Sequence, residues 1–131
     1  MGPVVLDSSV VLGLLLSGDP HHQRVRRELS GLEGQPLVVS AITYAEVMVG
    51  AVRDEAARGN TDRFWQRAID SIEPVTKRIA HVSAELRAAT PSLKLPDALI
   101  VATGEVLGAE AVLTTDARWS GVTPRVRVLG A

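Results

Sequence analysis

Residues 95–119 read LPDALIVATGEVLGAEAVLTTDARW, and their order decides the fold. After Pro96, apolar and small residues run to Leu107 and stop at Gly108, which gives a helix opened by Asp97 and closed by glycine. The segment AEAVLTT that follows is a short apolar run ending in polar residues, and it reads as a buried strand. A helix feeding directly into a buried strand is a unit of a parallel sheet with helices over its faces. The helix runs toward the foot of the strand, so its first turn lies at the strand's carboxyl edge. Asp97 and Asp116 are therefore expected at the same edge.

The rest of the chain repeats this alternation. Val4 to Leu6 reads as a strand ending at Asp7, and Ser8 or Ser9 caps a helix to about Leu16, closed by Gly18. Asp19-Pro20 starts a second helix that ends near Gly31 and Gly34. Pro36 to Val39 is a second buried strand, and Ser40 caps a long helix to about Arg58. Gly59-Asn60 reads as a turn, and Thr61 as the cap of DRFWQRAIDSI. A short strand is expected around Pro74-Val75, then a helix from Thr76 to about Ala89 and the loop TPSLKLP. RVRVL alternates and reads as an edge strand. No repeat, low-complexity tract or linker divides the sequence, so residues 1–131 are expected to form a single α/β domain.

Composition narrows the function classes. Hydrophobic residues make up 46% and charged residues 22%, ordinary values for a globular protein, and aromatics only 3%, so Val, Leu, Ile and Ala must build the core. There are no cysteines, which removes disulfides, thiolate metal sites and a thiol nucleophile and fits a reducing cytoplasm. VVLGLLL is far shorter than the roughly 18–20 residues of a membrane span, and Asp7 stands where a secretory signal carries positive charge. A soluble protein with no membrane attachment is expected.

Four acids sit in apolar surroundings: Asp7 in VVLDSSVV, Glu46 in TYAEVMVG, Asp97 and Asp116. With them set aside from the 15 acids, 11 remain against 14 basic residues, 12 of which are Arg. The remaining surface is mildly basic and weakly favours a phosphate-rich partner. In a parallel sheet, sites gather at the carboxyl ends of the strands. Asp7 and Asp116 end strands, Asp97 opens a helix at that edge, and Glu46 lies early in the helix after LVV. Each has a local alternative. Asp97 suits a helix dipole, Thr43-x-x-Glu46 matches a capping box, and Asp7 and Asp116 suit turns. Together they are costly, because two carboxylates about 4 Å apart repel by roughly 4 kcal/mol at an effective dielectric near 20. Such a cluster needs protons or cations. An oxygen-only set without Cys or His is what Mg²⁺ or Mn²⁺ prefers, and such ions serve phosphodiester hydrolysis.

VVLDSS, SAITYAEVMVG, LPDALIVATG and LTTDARW, in this order, resemble PIN domains, most closely the VapC-type ribonuclease toxins of bacterial toxin–antitoxin pairs. The resemblance spans about Val4 to Leu129. It implies a three-layer α/β/α fold with a mostly parallel central sheet of four to five short strands. It further implies a cytoplasmic, Mg²⁺- or Mn²⁺-dependent endoribonuclease using a metal-activated water. The family's acids fall on Asp7, Glu46, Asp97 and Asp116, its hydroxyl after the first Asp on Ser8 or Ser9, and its supporting Thr on Thr114. The implied partners are an RNA substrate, a second copy in a homodimer and a VapB-like antitoxin whose C-terminal segment covers the pocket. One departure is visible: DARW offers no further acid after Asp116 and carries Trp119 in the place of the family's aromatic, so a full second metal site lacks that ligand.

Other residues have plainer readings. His21 and His22 are neighbours and cannot share a helix face, so they read as surface histidines. Arg24, Arg26 and Arg27 read as a solvated face, Phe64-Trp65 as packing, and Lys94 as a loop lysine near Asp97. Two rivals stand beside the ribonuclease. VVLD also opens the haloacid-dehalogenase motif, but that family wants an Asp where this chain has Ser9. A non-catalytic PIN-like module binding RNA or protein is the other, and four retained, mutually repelling acids argue against it.

Overall fold

Val4, Val5 and Leu6 are all buried, because this strand lies at the centre of a sheet covered on both faces. A computed structural model of the chain describes residues 2–130; the two end positions of the domain expected over 1–131 lie outside the described residues. In chain order the elements are β1 (Val4–Leu6), α1 (Ser8–Leu15), α2 (His22–Ser30), β2 (Leu37–Ser40), α3 (Ala41–Arg53) and α4 (Glu55–Ala68). They continue with β3 (Ser71–Glu73), α5 (Lys77–Ala89), α6 (Leu95–Leu107), β4 (Ala111–Thr114), a 3₁₀ turn (Ala117–Trp119) and β5 (Val126–Val128).

The five strands pair in the order β3-β2-β1-β4-β5, and every pairing is parallel. Successive side chains of a strand point to opposite faces, so each strand feeds two cores. Val4, Leu6, Val39, Ala111 and Leu113 face α1 to α4 through Val10, Val11, Val25, Val47 and Trp65. Val5, Val38 and Val112 face α6 through Ala98, Ile100 and Val101, joined by Leu93 and Trp119. The result is the expected three-layer α/β/α arrangement, with β5 at the sheet edge. After β3 the chain returns across the sheet to place β4 beside β1, so the order reverses between those two strands. Ligand sites of open α/β sheets lie at the carboxyl ends of such a pair.

Helix α6 is seated by its small residues. Ala98 and Ala102 are fully buried, and a Cβ on Gly104 would collide with the Val112 side chain. Gly108 closes the helix at φ +63°, a left-handed conformation that suits glycine.

Several boundaries differ from the sequence reading. The long helix expected from Ser40 to Arg58 breaks at Asp54, whose carboxylate accepts from the Ala56 backbone N–H at 3.0 Å and starts α4. Arg58 reaches back to the carbonyls of Ala51 and Val52 and satisfies the end of α3. Gly59-Asn60 is therefore helical and not a turn, and Thr61 is not a cap: its hydroxyl bonds the Ala57 carbonyl while Thr61 and Trp65 pack inward. Glycine inside a helix costs about 1 kcal/mol, and this packing outweighs it. The third strand lies at Ser71–Glu73, ahead of Pro74-Val75, because Asp70 pairs with Leu37 through both its backbone N–H and its carboxylate. Helix α2 begins at His22, because the Asp19 carboxylate accepts from the His21 N–H and holds Pro20 in the preceding turn.

Candidate active site

Asp7 follows β1 directly and is 5% exposed. Its Oδ1 accepts from the Ser8 backbone N–H at 2.7 Å, capping α1, and more weakly from the Ser8 hydroxyl at 3.4 Å. Its Oδ2 accepts from the hydroxyls of Ser9 and Thr114, each at 2.8 Å. Thr114 comes within reach because β4 pairs with β1 in register, Leu6 opposite Leu113, and the Asp7 N–H continues the ladder onto the Leu113 carbonyl at 2.9 Å. The same two hydroxyls tie down the other side of the crevice. Ser9 Oγ accepts from the Thr115 N–H at 3.0 Å, and Thr114 Oγ1 from the Asp116 N–H at 3.0 Å. All three hydroxyl residues singled out in the sequence thus belong to one network.

Glu46 lies in the second turn of α3, because Ser40 and not Thr43 caps that helix: Ser40 Oγ accepts from the Ile42 N–H at 3.0 Å. Thr43 is buried, with its hydroxyl donating to the Leu6 carbonyl at 3.3 Å, so the capping box does not form. Asp97 is half-buried in the first turn of α6, which starts at Leu95, ahead of Asp97 itself. Asp116 caps the 3₁₀ turn and is gripped by Arg118, whose Nε and Nη2 donate to Oδ1 at 3.0 Å and Oδ2 at 2.8 Å.

The four carboxylates share one field. Burial pushes the Asp7 carboxyl up, more than its hydroxyl and amide donors pull it down. Partial burial also raises Glu46; the facing Ser8 hydroxyl offsets this in part, and the charges of Asp7 and Asp97 add to it. Burial raises Asp97 as well, reinforced by Asp7 and Asp116. Asp116 alone is held below the usual carboxylate range, chiefly by its bonds from Arg118, with Lys94 contributing charge. Charge coupling thus runs from Glu46 to Asp7 and Asp97, and from Asp97 on to Asp116, linking the acids picked out in the sequence. Among the described residues, no three His, Asp or Glu side chains close into a ready-made metal cage. The donor set is nonetheless all oxygen, and its most buried member has no cationic partner, which fits a hard divalent ion.

Two residues carry more than the sequence reading gave them. Arg118 was not singled out, although an Arg two residues after an acid at a helix start is within reach of that acid. Trp119 was noted only as an aromatic. It is the largest fully buried side chain among the described residues, its Nε1 has no hydrogen-bond partner of ordinary geometry, and the carboxylate its indole bears on is Asp97, whose pKa it draws down. Phe64 and Trp65 are packing residues, as read: Trp65 meets Phe64 edge to face and Tyr44 at a tilt, and points its Nε1 at Met48 Sδ. His21 and His22 bond locally, to Asp19 and to the Gly13 carbonyl. Arg24, Arg26 and Arg27 lie exposed on α2. None of the four acids lines the mainly apolar cleft of about 190 Å³ between α1, α3 and α4, which is formed by residues such as Leu12, Leu15, Leu16, Val47, Ala51 and Asp54.

The model of the PIN domain family matches residues 4–123. Solved structures share the fold over nearly the whole chain. A toxin–antitoxin complex from Klebsiella pneumoniae superposes with a TM-score of 0.76 at 28% identity, covering 95% of this chain and 96% of that one. VapBC2 from Rickettsia felis, bound to a promoter DNA fragment, gives 0.78 at 17% identity over 97% and 98% of the two chains. The sarcin–ricin loop cleaving toxin VapC20 of Mycobacterium tuberculosis gives 0.73 at 19% identity over 89% and 92%. No curated protein sequence matches the chain closely enough to count as a relative.

Proposed function

The chain belongs to the PIN domain family, and from that premise we propose that it is a VapC-type toxin, an endoribonuclease dependent on Mg²⁺ or Mn²⁺. The observation that carries this reading is the group of four carboxylates at the β1/β4 switch point: burial raises the pKa of three of them, and neighbouring carboxylates raise Glu46 and Asp97 further. A divalent ion there would supply the missing positive charge, bind a phosphodiester oxygen and lower the pKa of a water.

This chain's own residues would do the rest. Asp7, Asp97 and Asp116 are the ligands, with Glu46 direct or through water. Ser8, Ser9 and Thr114 fix the Asp7 carboxylate so that it needs no reorganisation. Lys94 and Arg118, both exposed and both drawing down the Asp116 carboxyl, would meet an RNA phosphate. Likeness to toxin–antitoxin complexes, one at 28% identity, supports a small antitoxin as protein partner. We assign the apolar cleft, with exposed Leu16 at its rim, to that partner. A homodimer and a cytoplasmic location belong to the same proposal; no helix among the described residues is long and apolar enough to cross a membrane.

The test is cleavage of total RNA by the purified chain with Mn²⁺ or Mg²⁺, with chelator, and by Asp97→Asn. Cleavage should need the metal and disappear in the variant. Activity persisting in chelator overturns the mechanism, and RNA binding without cleavage by the unaltered chain moves it to the non-catalytic alternative.

A further inference from the structure

The Trp119 indole is a buried donor without an acceptor, in a protein whose other tryptophan, Trp65, has Met48 Sδ at 3.4 Å from its Nε1. Native proteins rarely leave a buried N–H unpaired, and an exception asks for an explanation. Asp97 is its counterpart: among the described residues its carboxylate makes no side-chain hydrogen bond of ordinary geometry, and α6 does not use it as a cap, since the cap position is Lys94. The unpaired donor packs beside Ala98, the next residue after Asp97, and bears on the unpaired Asp97 carboxylate. We propose that Trp119 is the positioning residue of Asp97, its Nε1–H taking one carboxylate oxygen so that the other stays turned toward Asp7 and Asp116.

The frame for this bond is rigid on the tryptophan side. The ring is 1% exposed and packs in the core with Leu93, Ala98 and Val112, so it cannot follow Asp97 if the carboxylate swings away. Its backbone is tied to the fourth acid, because the Trp119 N–H donates to the Asp116 carbonyl at 3.1 Å and the Arg118 N–H to Asp116 Oδ1 at 2.9 Å. One short turn therefore carries Asp116 itself and the donor for Asp97. On the other side of the bond, the Asp97 side chain is half-buried in the first turn of α6. Orienting partners of this kind typically tune metal affinity 10–100-fold. The proposal rests on the ribonuclease reading for its purpose, although the contact itself does not.

Two measurements test it. In metal-free protein labelled with ¹⁵N-tryptophan, the Trp119 indole resonance is identified by its loss in Trp119→Phe or its survival in Trp65→Phe. Asp97→Ala should move that resonance upfield and leave the Trp65 signal in place; an unmoved Trp119 resonance overturns the proposal. Second, Trp119→Phe keeps a ring but removes the N–H, and should weaken Mn²⁺ binding, measured calorimetrically, by roughly 10-fold. A purely structural tryptophan would instead lower the unfolding temperature with Mn²⁺ affinity unchanged, and that result also overturns it. If the variant does not fold, the metal-free resonance still decides. Neither arm contains RNA, so a failure of RNA cleavage would fall on the ribonuclease reading alone.

Discussion

Asp7 and Asp116 end adjacent strands, each caps the turn that follows, and each binds backbone and side-chain donors, yet their charges meet opposite fates. Asp7 is buried and receives only neutral donors from Ser8, Ser9 and Thr114, and its carboxyl is pushed up. Asp116 is more open, is forked by the Arg118 guanidinium, and is held down. Neutral hydrogen bonds orient a carboxylate without replacing the water it lost, whereas a cation offsets its charge. The crevice is therefore graded from a starved end at Asp7 to a satisfied end at Asp116. A divalent ion has most to gain at the starved end.

The largest effect should follow from removing charge at that end. Asp7→Asn preserves shape and the Ser8 cap but deletes the most buried charge, and RNA cleavage should fall at least about a hundredfold, some 2.7 kcal/mol of barrier. Asp116→Asn should cost less, because that carboxylate is already neutralised by Arg118. Initial-rate assays on one RNA at saturating Mn²⁺ compare the two. Equal losses would break the gradient.

Thr114 joins the two ends, donating to Asp7 and accepting from the Asp116 N–H. Thr114→Val keeps the volume at a fully buried site and leaves both groups short of a partner. Stability should drop by about 1–3 kcal/mol in urea unfolding, and Mn²⁺ affinity by about 10-fold. A loss of stability with affinity intact would mean that Asp7 does not need the hydroxyl to hold its orientation.

The gradient also sets the pH dependence of the metal-free protein. Asp7, Glu46 and Asp97 have folded pKa values raised above their unfolded ones, so their charge opposes folding at neutral pH. This penalty is fully present above the folded values and fades as pH falls toward the unfolded carboxylate range near 4. Asp116 works the other way: its stabilising share is present above its unfolded pKa and is lost only below that range. In chelator, the unfolding temperature should therefore rise as pH falls from neutral into mild acid. Asp7→Asn should flatten that rise and be more stable than the unaltered chain at pH 7, by roughly 2–5 °C. A profile that falls steadily from neutral pH would contradict the gradient.

How much of this was legible in the sequence follows the same division. The acids at strand ends could be read because apolar runs stop abruptly at Asp7 and after Thr114, and Gly108 fixes where α6 ends. Ser40 could be weighed as a cap, but whether it or Thr43 caps α3 depended on Thr43 being drawn inward to the Leu6 carbonyl, a contact 37 positions away in the chain. The break at Asp54 was hidden because Gly59-Asn60 is the louder local signal, overridden by tertiary packing of Thr61 and Trp65. The third strand was misplaced because its position is set by pairing with Leu37, not by its own residues. Arg118 and Trp119 escaped notice as site residues because their significance lies in which acids they face.

The smallest effect belongs to Arg118, and it is the sharpest test of what the satisfied end is for. Its side chain is 76% exposed, and exposed ion pairs add little to stability. Arg118→Gln should leave the unfolding temperature within about 1 °C. The guanidinium does, however, occupy both oxygens of Asp116, the face an incoming ion would use. Removing it should therefore raise Mn²⁺ affinity, though by no more than about fivefold. The gain should shrink in concentrated salt, where the attraction is screened. If Arg118 also meets the RNA phosphate, the same variant should bind its substrate more weakly while binding metal more tightly. Calorimetry with Mn²⁺ and single-turnover cleavage over a range of enzyme concentrations separate these opposite movements. Movement of both in the same direction would mean that Arg118 is a fixed part of the pocket, and not a counter-ion that yields Asp116 to the metal.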